Sequence, residues 1–159
     1  MTVREVLVGV SAGITILVSP VAPATAGVRQ SSQTVDGLTI YLGVVPAAIT
    51  RGHGREHAGE PGARTAGSSV HDIHVVAGIF EKHSGERIGN ASVTARFQGE
   101  RGPAWTVPLR PMTVNGALTY GGFTSMGANM NATVSIIVQR PSRIRRQHAS
   151  VARFEYDHD

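Results

Sequence analysis

Four of the chain's seven histidines fall between positions 53 and 74. His53 and His57 lie in RGHGREH beside Glu56 and Glu60, and His71 and His74 lie in VHDIH around Asp72. A neutral imidazole is a good ligand for copper, zinc or nickel, so this stretch is the first candidate for chemistry. The spacing constrains how a site is built. His53 and His57 share a side only if their segment makes a helical turn. In an extended strand His71 and His74 point to opposite faces, whereas Asp72 and His74 share one. A metal centre therefore requires the segment before His71 to fold back over the start of the following strand. The competing reading is a set of solvated loop histidines plus one strand histidine, because the spacing lacks the specificity of CxxC or HExxH motifs.

Met112, Met126 and Met130 form a softer group. Thioethers suit Cu(I), but methionine more often fills core gaps. With no cysteine, thiolate chemistry, disulfides and Cys-based metal sites are excluded. Catalysis finds no footing either. There is no nucleophile elbow, no phosphate-cradling glycine loop before a helix, and no triad-like spacing of Ser, His and Asp, so the chain reads as a non-enzyme. Arg140, Arg143, Arg145 and Arg146 make RPSRIRRQH a basic loop that suits an anionic surface or protein partner, or simply a solvated connection.

The elements that must position these residues are strands. Leu38 to Val45 is β-rich and follows the Asp36-Gly37 turn signal. Residues 51–69 carry five glycines and no large apolar residue, as a long surface connection does. Val70 to Phe80 reads as a central strand. Ala91 to Phe97, Trp105 to Leu109, Ala117 to Phe123, Thr133 to Gln139 and Val151 to Tyr156 follow, with Asn115-Gly116 as a hairpin signal. No amphipathic helix interrupts them. The pattern predicts an all-β, immunoglobulin-like antiparallel β-sandwich of seven or eight strands over residues 35–159, with 27–34 as a flexible linker.

Residues 1–26 read as a signal peptide. Arg4 gives a positive start, Val6 to Val18 is uncharged but too short to span a bilayer, Ser19-Pro20 breaks the run, and Ala24-Thr25-Ala26 is a small-x-small cleavage site. The expected location is periplasmic or secreted. The working chain then starts near Gly27 and contains no later transmembrane segment. The net charge of +4 is carried almost wholly by arginine. Outside the cytoplasm, that charge points away from nucleic acid and toward headgroups, polyanions or an acidic partner.

With the strands placed, a family resemblance emerges. DIHVVAGI (Asp72 to Ile79), PMTVNGALTYGGFTSMG (Pro111 to Gly127), a strand ending in RP, the final FEY (Phe154 to Tyr156) and LTIYLGVVPA near the start resemble the periplasmic iron-transport accessory family. The resemblance implies an immunoglobulin-like sandwich, often dimeric, that binds copper and assists ferrous iron uptake. It also implies a ligand set. Met112 and His74 match ligand types of that family, whereas the other positions carry Asn115 or Gly116, Thr119 and Val76.

Two functions follow as expectations. The first is an exported, non-enzymatic accessory protein that binds copper or another divalent transition metal through His53, His57, His71, His74 and Met112. The second is a metal-independent interaction module that docks on an envelope protein or on a second copy of itself.

Overall fold

The computed structural model describes residues 27–53, 69–127, 130–141 and 148–158. The expected leader, residues 1–26, lies outside them. Nine strands form: β1 (Gly27–Val28), β2 (Ser32–Val35), β3 (Leu38–Pro46), β4 (Asp72–Glu81), β5 (Ser92–Gly99), β6 (Trp105–Val114), β7 (Ala117–Ser125), β8 (Met130–Gln139) and β9 (Ala149–His158). A 3-10 helix, Ala47–His53, follows β3. Every pairing is antiparallel, in the order β1-β9-β8-β5-β6-β7-β4-β3-β2. Two hairpin turns have the positive φ pair that right-twisted strands prefer: Asp36 (48°) with Gly37 (75°), and Asn115 (49°) with Gly116 (78°).

The expected sandwich of seven or eight strands is thus corrected to one nine-stranded sheet, strongly curled into a half-barrel. The reason lies in β6. Its first half pairs with β5, from Phe97↔Trp105 to Val93↔Leu109, and its second half pairs with β7, from Arg110↔Gly121 to Val114↔Ala117. One strand therefore joins what a sandwich would keep apart. Pro108 and Pro111 flank this change of partner, where a missing N–H is tolerated. Gly122 allows the close crossing, because a Cβ there would stand 3.0 Å from the Pro108 carbonyl oxygen and 3.1 Å from Val107.

Residues 27–34, expected to be a linker, carry β1 and most of β2, and they strap the seam of the curl. β1 pairs with β9, and three residues later β2 pairs with β3 at the other end of the sheet. Arg29 donates its backbone N–H to Glu155 and its guanidinium to Asp157 at 2.9 Å, a hydrogen bond and charge that raise the Arg29 pKa. The Gln33 side chain bonds both backbone groups of Arg153, which satisfies part of the β9 edge.

The curl encloses one core, built from alternate residues of seven strands. Leu38, Ile40, Ile73, Val75, Phe97, Val134, Ile136 and Phe154 are almost fully buried in it. Trp105 lies flat on Phe97, with ring centres 5.1 Å apart, and donates its indole N–H to Thr124. The Tyr120 hydroxyl, also inward, accepts the N–H of Ala91. Met126 belongs to this core and Met130 packs against it, so both act as core filling.

Candidate functional site

Strand alternation assigns Asp72, His74, Val76, Gly78 and Phe80 of β4 to the face opposite the core. Register extends that face sideways. Val45 of β3 and Phe123 of β7 flank His74, Gly43 and Gly121 flank Val76, and Tyr41 sits beside Gly78. Across β7, Thr119 pairs with Met112 of β6.

At the β4 start this face is closed. His74 is 2 % exposed and Phe123 7 %, and their rings stack at 4.3 Å with an interplanar angle of 20°. Asp72 is also buried. One of its carboxylate oxygens accepts the Ser69 N–H at 2.9 Å and the other accepts the Ser125 hydroxyl. Beside it, the His71 carbonyl accepts the Met126 N–H at 2.9 Å. These bonds pin the returning end of the 47–71 connection to the end of β7. The connection leaves from the same place, since Pro46 pairs with Ile73.

The candidate ligands separate accordingly. His71 and His74 sit together at this end of the sheet. His53 closes the 3-10 helix that starts at the neighbouring end of β3. His57 lies outside the described residues. Met112 is buried but stands elsewhere: its partner Thr119 is four residues along β7 from Phe123, the partner of His74. That offset is roughly 13 Å along the strand plus roughly 10 Å across two strand spacings. With metal–ligand bonds of about 2 Å, one ion cannot bind both. Among the described residues, no three His, Cys, Asp or Glu side chains converge.

The positions that the family resemblance implies for copper also share the outer face, but they do not fit the ion. Val76 offers no donor. Thr119 offers a hydroxyl that is buried without a hydrogen-bond partner among the described residues. Neither is a transition-metal ligand of the kind copper selects.

The other end of the same face is open. A groove of 610 Å³ runs over Gly43, Val76 and Gly78, walled by Tyr41 and Phe80 and rimmed by Lys82 and Arg87. Tyr41 is 48 % exposed and meets Phe80 edge-on at 5.5 Å. The Arg87 guanidinium lies 4.4 Å from the Phe80 ring centre and donates to the Leu118 carbonyl at 2.7 Å. Sequence reading did not find this groove. Its one visible signal is a pair of glycines inside strands, Gly43 and Gly78, where a close approach is expected.

No family model matches the chain, and no curated protein does either. Solved structures do match, and they define a fold class of curled antiparallel β proteins, several of them solved with copper bound. A DUF4426 family protein of Pseudomonas aeruginosa is 14 % identical with a TM-score of 0.61, over 82 % of this chain and 94 % of that one. The copper-reconstituted P19 protein of Campylobacter jejuni is 13 % identical with a TM-score of 0.60, over 85 % and 97 %. FetP of a uropathogenic Escherichia coli strain, expressed in the periplasm, is 15 % identical with a TM-score of 0.60, over 84 % and 93 %. At these identities the likeness shows a shared fold. Among the described residues, no helix is long and apolar enough to cross a membrane.

Proposed function

We propose that this chain is an exported, non-enzymatic accessory protein of the cell envelope that binds a transition metal, copper foremost. Of the positions that the resemblance implies, His74 stays a proposed donor, joined by the other histidines of the adjoining connection: His71 beside it at the foot, with His53 and His57 earlier in the chain. The observation that carries the reading is His74, a nearly fully buried imidazole at the base of a connection whose two ends, Pro46 and Asp72, lie side by side. The fold shared with copper-bound P19 and FetP supports it. A periplasmic or secreted location fits the same reading, because an exported protein meets these ions before the cytoplasm does.

Metal analysis of natively exported protein, with Cu(II), Cu(I) and Zn(II) titrations, tests this. The expected result is binding tighter than about micromolar, an affinity that one or two exposed histidines do not reach. Replacing His53, His57 and His71 together by alanine keeps the buried His74 ring and should weaken binding at least about tenfold. Binding unchanged in that variant, or no binding tighter than micromolar, contradicts the reading.

A metal-independent interaction module is the second reading. It is favoured by the exposure of Tyr41, Val45, Ile49 and Val70, and it allows an envelope protein or a second copy as partner. The basic residues Arg143, Arg145 and Arg146 lie outside the described residues. This reading expects the histidine changes to be silent and reversal of those three charges to abolish a captured partner.

A further inference from the structure

The groove at the far end of the outer face is independent of the histidines, and its chemistry points to a different ligand. Its size falls in the range of small-molecule sites, roughly 300–1,000 Å³. Its floor exists because two strand positions lack side chains. A Cβ at Gly43 would meet only the Val76 carbonyl oxygen, at 3.9 Å, and a Cβ at Gly78 would reach Phe80 at 3.3 Å. Interior strand glycines weaken a sheet and mark a close approach: Gly78 makes way for Phe80 and Arg87, whereas Gly43 leaves the groove floor open. Beside that floor the exposed Tyr41 ring meets Phe80 edge-on and offers a flat guest an aromatic surface.

The rim carries the charge. Glu81 is the acid at the groove, and its carboxylate faces Arg140 at 3.6 Å and His83 at 3.8 Å. Lys82 and Arg87 thus set the sign of the remaining field. Arg87 spends one N–H on the Leu118 carbonyl and, as a guanidinium, has others to offer. Thr119 also lines the groove, with its hydroxyl buried beneath the surface.

We infer that this groove is a binding site for a small planar aromatic anion, with its ring against the exposed Tyr41 over Gly43 and its charge toward Lys82 and Arg87. The probes are 2-naphthoate and its neutral isostere 2-naphthamide, titrated into the exported full-length protein and followed by amide NMR shifts. Naphthoate should shift Tyr41, Gly43, Gly78 and Thr119 and bind at least about tenfold more tightly than the amide. Gly43→Val fills the floor at a position where a side chain meets no clash. It should keep the melting temperature and weaken naphthoate at least about tenfold. Lys82→Gln should bring the two probes' affinities together. Equal binding of acid and amide, naphthoate affinity unchanged in Gly43→Val, or shifts centred elsewhere overturns the inference. So do groove signals that move with protein concentration alone, which would make a second copy the occupant.

Discussion

At its start, β4 turns a buried imidazole and a buried carboxylate outward, each already held by neighbours. Four residues on, the same strand turns Gly78 outward beneath the edge of the Phe80 ring, beside an open groove. The two regions share a sheet, a face and a register, yet one is built from buried polar side chains and the other from missing side chains. What separates them is how each is held. At the β4 start Asp72 binds Ser69 and Ser125 and the His71 carbonyl binds Met126, whereas Tyr41, Phe80 and Arg87 wall the open end. Outward residues on one strand can thus serve opposite ends: anchoring the chain, or leaving room for a guest.

The comparison breaks if the closed end tolerates truncation. The largest effect expected is from His74→Ala, which empties the stack on Phe123 and costs about 3 kcal/mol, read as a shift of the denaturation midpoint. A loss of less than about 1 kcal/mol would mean the ring is not packed as described. Next comes Asp72→Ala, which leaves the Ser69 N–H and the Ser125 hydroxyl without their acceptor. A cost of about 2 kcal/mol is expected, with faster amide exchange at Ser69 and Met126, because the anchor of the connection is lost. At the open end the sign reverses. Thr119→Val replaces a buried hydroxyl that lacks a partner among the described residues by a methyl of similar shape, so stability should stay level or rise by about 0.5 kcal/mol. A clear loss there would show that the hydroxyl is bonded and would weaken the case for the groove.

Much of the sheet was legible in the sequence, and particular residues show why. Alternation in Ala91 to Phe97 placed β5 to within about two residues at each end, and the Asn115-Gly116 signal placed the turn between β6 and β7. Asp36-Gly37 was read as a turn, but Ser32–Val35 was not read as the strand it joins. That short polar segment has no hydrophobic face, and it is held by pairing with Leu38–Tyr41 and by the reach of Gln33 across the seam. The expected strand ended at Leu109, whereas β6 runs on through Pro111 to Val114, its two prolines tolerated where the strand changes partner. The single curled sheet follows from that exchange, which no local pattern encodes.

The site was legible in residue type and less so in geometry. The shared face of Asp72 and His74 follows from strand periodicity and holds in the structure, while the expected fold-back of residues 54–68 over the strand lies outside the described residues. Grouping Met112 with the histidines required knowledge of register, since only the Met112↔Thr119 and His74↔Phe123 pairs reveal the distance. The groove was invisible for the same reason. Tyr41 and Gly78 come from different strands, and they become neighbours only through pairing.

The central claim is that metal binds at the histidine end, around His74, and not around Met112 and Thr119. The most direct test is Cu(II) line broadening in amide NMR spectra of the exported protein. The account predicts that signals of Ile73 to Val75 and Phe123 to Ser125 vanish first, while those of Met112, Thr119 and Phe80 persist. Broadening centred on Met112 and Thr119, or no broadening at stoichiometric copper, would contradict it.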